Sequence, residues 1–262
     1  MLRSIWLVSL LALLQGCATQ LGIPAGSSSD NPGIESAGQV LQFQRSSVEA
    51  DGAALKPADL RPGDILLTAA ETLPSAGIQM MTFAPVSHAA VYIGDGQVVE
   101  AVRPRVQVRR VEDLLVEEAT ALVFRHPDLT AEQAQSIRAF VLEQVGKDFN
   151  YFSMYLHVPT ALVRRLCELP LIPSVVRDAC IKGIGAIHYL AADERQYFCS
   201  QLVLQAYRQA GVSITDADPR MLTPADILHM REGDVSSVRI HKRLLAVGHL
   251  KYQPPVAVAL QQ

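Results

Sequence analysis

The 262-residue sequence is short of charge, of aromatics and of cysteine, and each shortage narrows its role. Charged residues make up 19% and leave a net charge of only −3. Without a long basic cluster nothing matches a phosphate backbone, so nucleic acid is not an expected partner. The four cysteines, Cys17, Cys167, Cys180 and Cys199, form no C-x-x-C pair, and no H-E-x-x-H occurs. His126, His157, His188, His229, His241 and His249 show no ligand spacing with a cysteine pair. No metal site and no cofactor is therefore expected. Gly94-Asp95-Gly96 does not lead into a helical pattern, which argues against a phosphate loop. No internal repeat is evident, and no apolar run reaches the roughly 20 residues of a membrane span.

Hydrophobic residues make up 49%, enough for a substantial core and one moderate domain with appendages. Arg3 precedes a short apolar run, residues 5–14, which suits a signal peptide. Leu14-Gln15-Gly16-Cys17 resembles a bacterial lipobox, making Cys17 the expected lipidation site and 1–17 the signal segment. Ala18, rather than aspartate, follows it. By the enterobacterial sorting pattern this favours the outer membrane, facing the periplasm, given a Gram-negative source. The 18–50 stretch is rich in Gly, Ser, Pro and Asn and reads as a flexible tether.

Residues 197–210 carry Cys199, and apolar residues recur after it at Leu202, Val203, Ala206, Tyr207 and Ala210. Steps of three and four predict a helix with one buried stripe, and Gly211 fits its C′ position. Cys199 falls in the first turn, where unpaired N–H groups and the helix dipole favour an anion. Taken alone, it reads first as a small buried cysteine packed on a sheet. Upstream, residues 87–94 read as a strand carrying His88 and running into the turn signal Asp95-Gly96. Residues 97–102 form the return strand and carry Glu100. A two-residue loop would put Glu100 on the face opposite His88. A three-residue loop, 94–96, sets Ala90 opposite Glu100 and places His88 and Glu100 as diagonal neighbours on one face. We take that register. It makes a base and an orienting carboxylate available to a cysteine at a helix start.

A Ser-His-Ala-Ala-Val-Tyr-Ile-Gly strand, a Val-Val-Glu strand and a late Tyr-Phe-Cys-Ser-Gln-Leu-Val helix together resemble the circularly permuted NlpC/P60 group of papain-like cysteine hydrolases. Within that group the likeness is to YiiX/YaeF-type bacterial lipoproteins, with lecithin:retinol acyltransferase-like proteins more distant. It covers roughly residues 60–228, and Arg61-Pro62-Gly63-Asp64 looks like the segment leading into the family's sheet. The resemblance implies an α+β fold, an antiparallel sheet packed against helices, with a helical insertion. Gly146-Lys147-Asp148-Phe149 occupies the place of the family's Gly-x-Pro-Tyr, so Phe149 lacks a hydroxyl that could assist at the oxyanion. Tyr151 or Tyr197 could substitute, as could the backbone N–H of Cys199.

The chain otherwise divides into a domain over 51–250, with an insertion at 152–194, and a tail at 251–262. Strands are expected at 64–68, 106–109, 121–124 and 238–245. Thr130 with Gln133 predicts a helix start, as does Thr223 followed by Pro224 and Asp226. Residues 69–85 read as a mixed connection. Its Met80, Met81 and Phe83 line a cleft or, as we favour, fill the core. Arg103, Arg105, Arg109 and Arg110 suit a solvated strand face or an anion site. The insertion suggests short helices at 161–168 and 174–181, serving as a lid, a platform or added scaffold.

The resemblance implies acyl transfer to Cys199, with His88 as base and Glu100 orienting it. Substrates would be an envelope amide, such as a peptidoglycan peptide bond or an acylated lysine. A different reading is acyl transfer or lipid-ester cleavage, and a third is a non-catalytic envelope-binding module on a dead cleft. With Cys17 and Cys199 assigned, Cys167 and Cys180 remain. They are either bridged across the insertion or two unrelated apolar cysteines.

Overall fold

The computed structural model of the protein describes residues 19–22, 40–43, 52–82, 84–150, 163, 166–167, 176, 179–180, 182–183 and 196–252. Strands β1 (Thr19–Gly22) and β2 (Val40–Phe43) pair antiparallel with one another. The stretch expected as a wholly flexible tether thus contains regular structure, while Cys17 lies outside the described residues.

A seven-stranded sheet organises the rest. Its strands are β3 (Ala53–Ala54), β4 (Ile65–Ala70), β5 (His88–Gly94), β6 (Gln97–Ala101), β7 (Val106–Arg110), β8 (Glu118–Arg125) and β11 (Leu245–Lys251). Their order is β3–β11–β8–β4–β5–β6–β7, and every neighbouring pair is antiparallel except β3 with β11. Helices α1 (Leu73–Thr82), α2 (Val111–Glu117), α3 (Ala131–Glu143), α4 (Cys199–Gln209) and α5 (Pro224–Leu228) complete a mixed α+β fold.

Side chains alternate across the sheet with period two, and both faces are covered. Ile65, Leu67, Val91, Ile93, Val99, Leu122 and Phe124 face the stripe of α4. Leu66, Ala90, Tyr92, Val98 and Val123 face Val111 and Leu114 of α2. That double cover explains why β5 reads as a continuous apolar run. The α4 stripe is fully buried: Leu202, Val203, Ala206 and Tyr207 are all 0% exposed. A large apolar side chain such as Leu202 contributes about 1.5–3 kcal/mol, so Leu202→Ala would cost about 2–5 kcal/mol and loosen the helix that presents Cys199. The helix ends as its glycine predicts. Gly211 has φ +73°, its N–H donates to Arg208 O, and the Val212 N–H donates to Tyr207 O.

Arg61-Pro62-Gly63-Asp64 forms the turn into β4. Asp64 accepts two 2.7 Å bonds from Arg125 and one from the Arg61 N–H, and Tyr207 of α4 donates its hydroxyl to Gly63 O. Gly63 has φ +93°, and a Cβ there would collide with Leu129. Thr130 caps α3 together with Gln133, and Thr223 caps α5 together with Asp226.

Three expectations need correction. Residues 69–85 contain the ten-residue helix α1, in which Met80 is 72% exposed rather than core, and Phe83 lies outside the described residues. The last strand is Leu245–Lys251 rather than 238–245, because Ile240 and Leu244 make only isolated bridges, to Thr215 and Arg231. The helix α2 between β7 and β8 was not foreseen, for its seven residues are too few to show a period. Most of 152–194 and the tail beyond Tyr252 lie outside the described residues. Within the insertion, the described residues from Val163 to Cys180 are helical. The structure joins Cys167 to Cys180, with α-carbons 5.9 Å apart.

Candidate active site

The turn after β5 sets the register that decides the site. Gly94, Asp95 and Gly96 all have positive φ, and Ala90 pairs with Glu100, Val91 with Val99 and Tyr92 with Val98. The expected pairing of Ala90 with Glu100 holds, but the loop itself is the two residues Asp95-Gly96, since Gly94 pairs with Gln97 and a bulge between Tyr92 and Gly94 restores the register. His88 and Glu100 therefore share a face, and His88 Nε2 donates to Glu100 Oε2 at 2.9 Å. Gln107, directly opposite Glu100 on β7, donates to its second oxygen at 3.0 Å, with Arg109 3.6 Å from that same oxygen. Arg109 also pairs with Glu117 at 2.7 Å, so it belongs to the site and not to a solvated face. Arg110 is the exposed one, paired with Glu112. Ser87, just before His88, hydrogen-bonds Ser75 of α1 at 2.7 Å, and its N–H donates to Thr68 O.

Cys199 is the first residue of α4 and is 6% exposed. Two short parallel strands, β9 (Asp148–Phe149) and β10 (Gln196–Tyr197), tie the Phe149 segment directly beside it. The Cys199 thiol lies close enough to the His88 ring to help hold its charge. Because Nε2 is held by Glu100, Nδ1 is the nitrogen left for sulfur. Burial pulls the His88 pKa down, but Cys199 and Glu100 outweigh it and hold the imidazolium well above its ordinary 6.5. Burial likewise pushes Glu100 up, yet the His88 bond, Gln107 and Arg109 bring its carboxyl down to about 2.

The structure thus brings together three of the residues singled out from sequence, with His88 and Cys199 in the wall of a cavity of roughly 660 Å³ and Glu100 behind His88. Ile78 and Met81 of α1, Phe149, Phe198 and Pro224 line it with apolar surface. Arg103 reaches its edge, whereas Tyr197 is not among its lining residues and Tyr151 lies outside the described residues. The described residues hold no group of three or more His, Cys, Asp and Glu suited to a metal ion.

A curated protein of Escherichia coli (strain K12), "Probable lipoprotein peptidase YaeF", is 33% identical over 214 residues, spanning 80% of this chain and 78% of that one. The chain belongs to the YiiX/YaeF family. A crystal structure titled metalloprotein yiiX, from Escherichia coli O157:H7, matches with a TM-score of 0.43 and 15% identity, covering 74% of this chain and 98% of that one. No family model matches the sequence.

One lining residue of this YiiX/YaeF-family chain escaped the sequence reading: Glu118. Its strand was expected to start at residue 121 and in fact starts at Glu118. Ala69 pairs with Thr120 but Ala70 pairs with Glu118, so Ala119 is a bulge. That extra residue turns Glu118 from the Leu122 face onto the face of Thr68, which pairs with His88. A one-residue bulge leaves no pattern in sequence, so nothing could have flagged it.

Proposed function

We propose that this chain is an envelope cysteine hydrolase of the permuted papain-like NlpC/P60 type, cleaving an amide through Cys199, His88 and Glu100. The observation that carries the reading is the imidazole held between the Glu100 carboxylate and the Cys199 thiol at a cavity wall. The name of the Escherichia coli relative, a probable lipoprotein peptidase, supports it.

In this mechanism His88 Nδ1 takes the Cys199 proton, and Glu100 stabilises the imidazolium and fixes the ring. The thiolate attacks the amide carbonyl carbon, and in this reading the Cys199 N–H at the helix start receives the oxyanion. Collapse breaks the C–N bond, the imidazolium giving its proton to the departing amine, and leaves a thioester. Water then attacks the thioester with His88 as base. The acid departs, and the proton returns to sulfur. Incubation with peptidoglycan fragments and with phospholipid, followed by mass spectrometry, tests this. Peptide cleavage that vanishes in Cys199→Ala is the expected result. The apolar wall of Ile78, Met81, Phe149 and Phe198 favours a second reading, acyl transfer or lipid-ester cleavage, which deacylated phospholipid without peptide cleavage would select.

Cys17 in this reading carries the lipid that holds the domain at the membrane, and no helix among the described residues is long and apolar enough to cross one. Cys17→Ser is expected to move the folded protein from the membrane fraction to the soluble one. Retention through a carbonate wash would contradict lipidation at that residue.

A further inference from the structure

Glu118 is a buried carboxylate in the cavity wall that the mechanism above does not use. It is 8% exposed, and among the described residues neither its Oε2 nor the hydroxyl of neighbouring Thr68 makes a well-formed hydrogen bond, the two groups interacting only with one another. A buried carboxylate with no better partner than one hydroxyl is costly, and in a native protein such a group calls for a reason, a bound ion or a role at the site among them. Among the described residues no cation forms an ion pair with Glu118, although Arg103 lines the same cavity. Arg109, on the same side of the sheet, is engaged by Glu100 and Glu117, and His88 is engaged by Glu100 and Cys199. Burial pushes the Glu118 carboxyl up, and the nearby Glu100 charge adds to this, while His88, Thr68 and Arg109 offset it only in part. A neutral donor would satisfy the oxygen but leave the repulsion from Glu100. A cation answers both.

The position of Glu118 says which half of a substrate would bring that cation. His88 delivers its proton to the leaving amine, and Glu118 shares the sheet face of His88. The oxyanion forms on the other side, at the start of α4. Groups beside His88 therefore meet the leaving half of the substrate.

From this geometry we infer that Glu118 is a specificity residue that binds a primary ammonium group on the amine half of the substrate. The inference rests on the hydrolase reading of the same cavity, but it can be tested without turnover. The probe is n-butylammonium chloride, compared with n-butanol of the same chain length and no charge. Each is titrated against the rate of Cys199 alkylation by iodoacetamide in the full-length protein. Butylammonium is expected to protect at a concentration at least about tenfold lower than butanol, the usual advantage of a hydrogen bond to a charged group. In Glu118→Gln, an isosteric change that removes only the charge, that preference is expected to disappear. Unchanged thermal melting of this variant shows that its fold is intact. Equal protection by the two probes in the wild type would overturn the inference, and so would a preference that survives in Glu118→Gln. If the hydrolase reading alone fails, no product appears in the mass-spectrometric assay while the ammonium preference persists.

Discussion

Two histidine–carboxylate pairs occur in this molecule, almost equal in length and very different in setting. His88 and Glu100 are 2.9 Å apart on two strands beside the cavity. His229 and Asp234 are 3.0 Å apart in the turn after α5, both buried. Asp234 also accepts from Arg231 Nε at 3.0 Å and from the Val235 N–H at 2.7 Å, and Arg243 donates to its carbonyl at 2.7 Å. The second pair therefore pins an irregular loop to itself. It faces no thiol and lines no part of the cavity. What distinguishes the two is the third partner: the first histidine has one nitrogen on a carboxylate and lies beside a cysteine at a helix start. A histidine–carboxylate contact is a common structural device, and it becomes chemistry only with a nucleophile and an open wall.

The largest expected effect separates the pairs by stability. Asp234→Ala would remove the carboxylate shared by buried Arg231 and His229 and should cost about 3–5 kcal/mol in denaturant unfolding. Activity per folded molecule should not change. Loss of activity out of proportion to loss of folded protein would mean that the second pair serves the site as well.

Sequence reading reached the first pair because periods and turns encode it. The α4 stripe, Gly211 and the Asp95-Gly96 turn each follow from spacing, and together they bring Cys199, His88 and Glu100 to one place. It failed where geometry depends on a single residue or a short element. The Ala119 bulge re-aims Glu118, the seven-residue α2 has no readable period, and Arg109 reads as solvated until β6 lies beside it. Exposed apolar residues misled as well, since Met80 looks like core in a helix that lies along the cavity rim.

Glu100→Gln gives the next effect. The amide oxygen still accepts from His88, but the charge that stabilises the imidazolium is gone. A loss of about 10²-fold in kcat is expected, at the low end of the roughly 10²–10⁴-fold that acid–base groups contribute. The same variant sharpens the comparison through pH. Folding lowers the Glu100 pKa from 4.5 to about 2, so its contribution to stability is full above pH 4.5 and fades as pH falls toward 2. Wild-type stability should therefore decline through that window more steeply than that of Glu100→Gln. Parallel declines would show that the carboxylate does not titrate as its partners require.

The most direct test measures the thiol itself. Iodoacetamide reacts with thiolate, and at about pH 6 an ordinary cysteine, with a pKa near 8.5, holds very little of it. If His88 and Cys199 form an imidazolium–thiolate pair, wild-type Cys199 is alkylated at that pH, and His88→Ala slows the reaction by about tenfold or more. His229→Ala, which removes the histidine of the structural pair, should leave the rate of the folded protein unchanged. Equal alkylation rates at pH 6 for the wild type and His88→Ala would contradict the account.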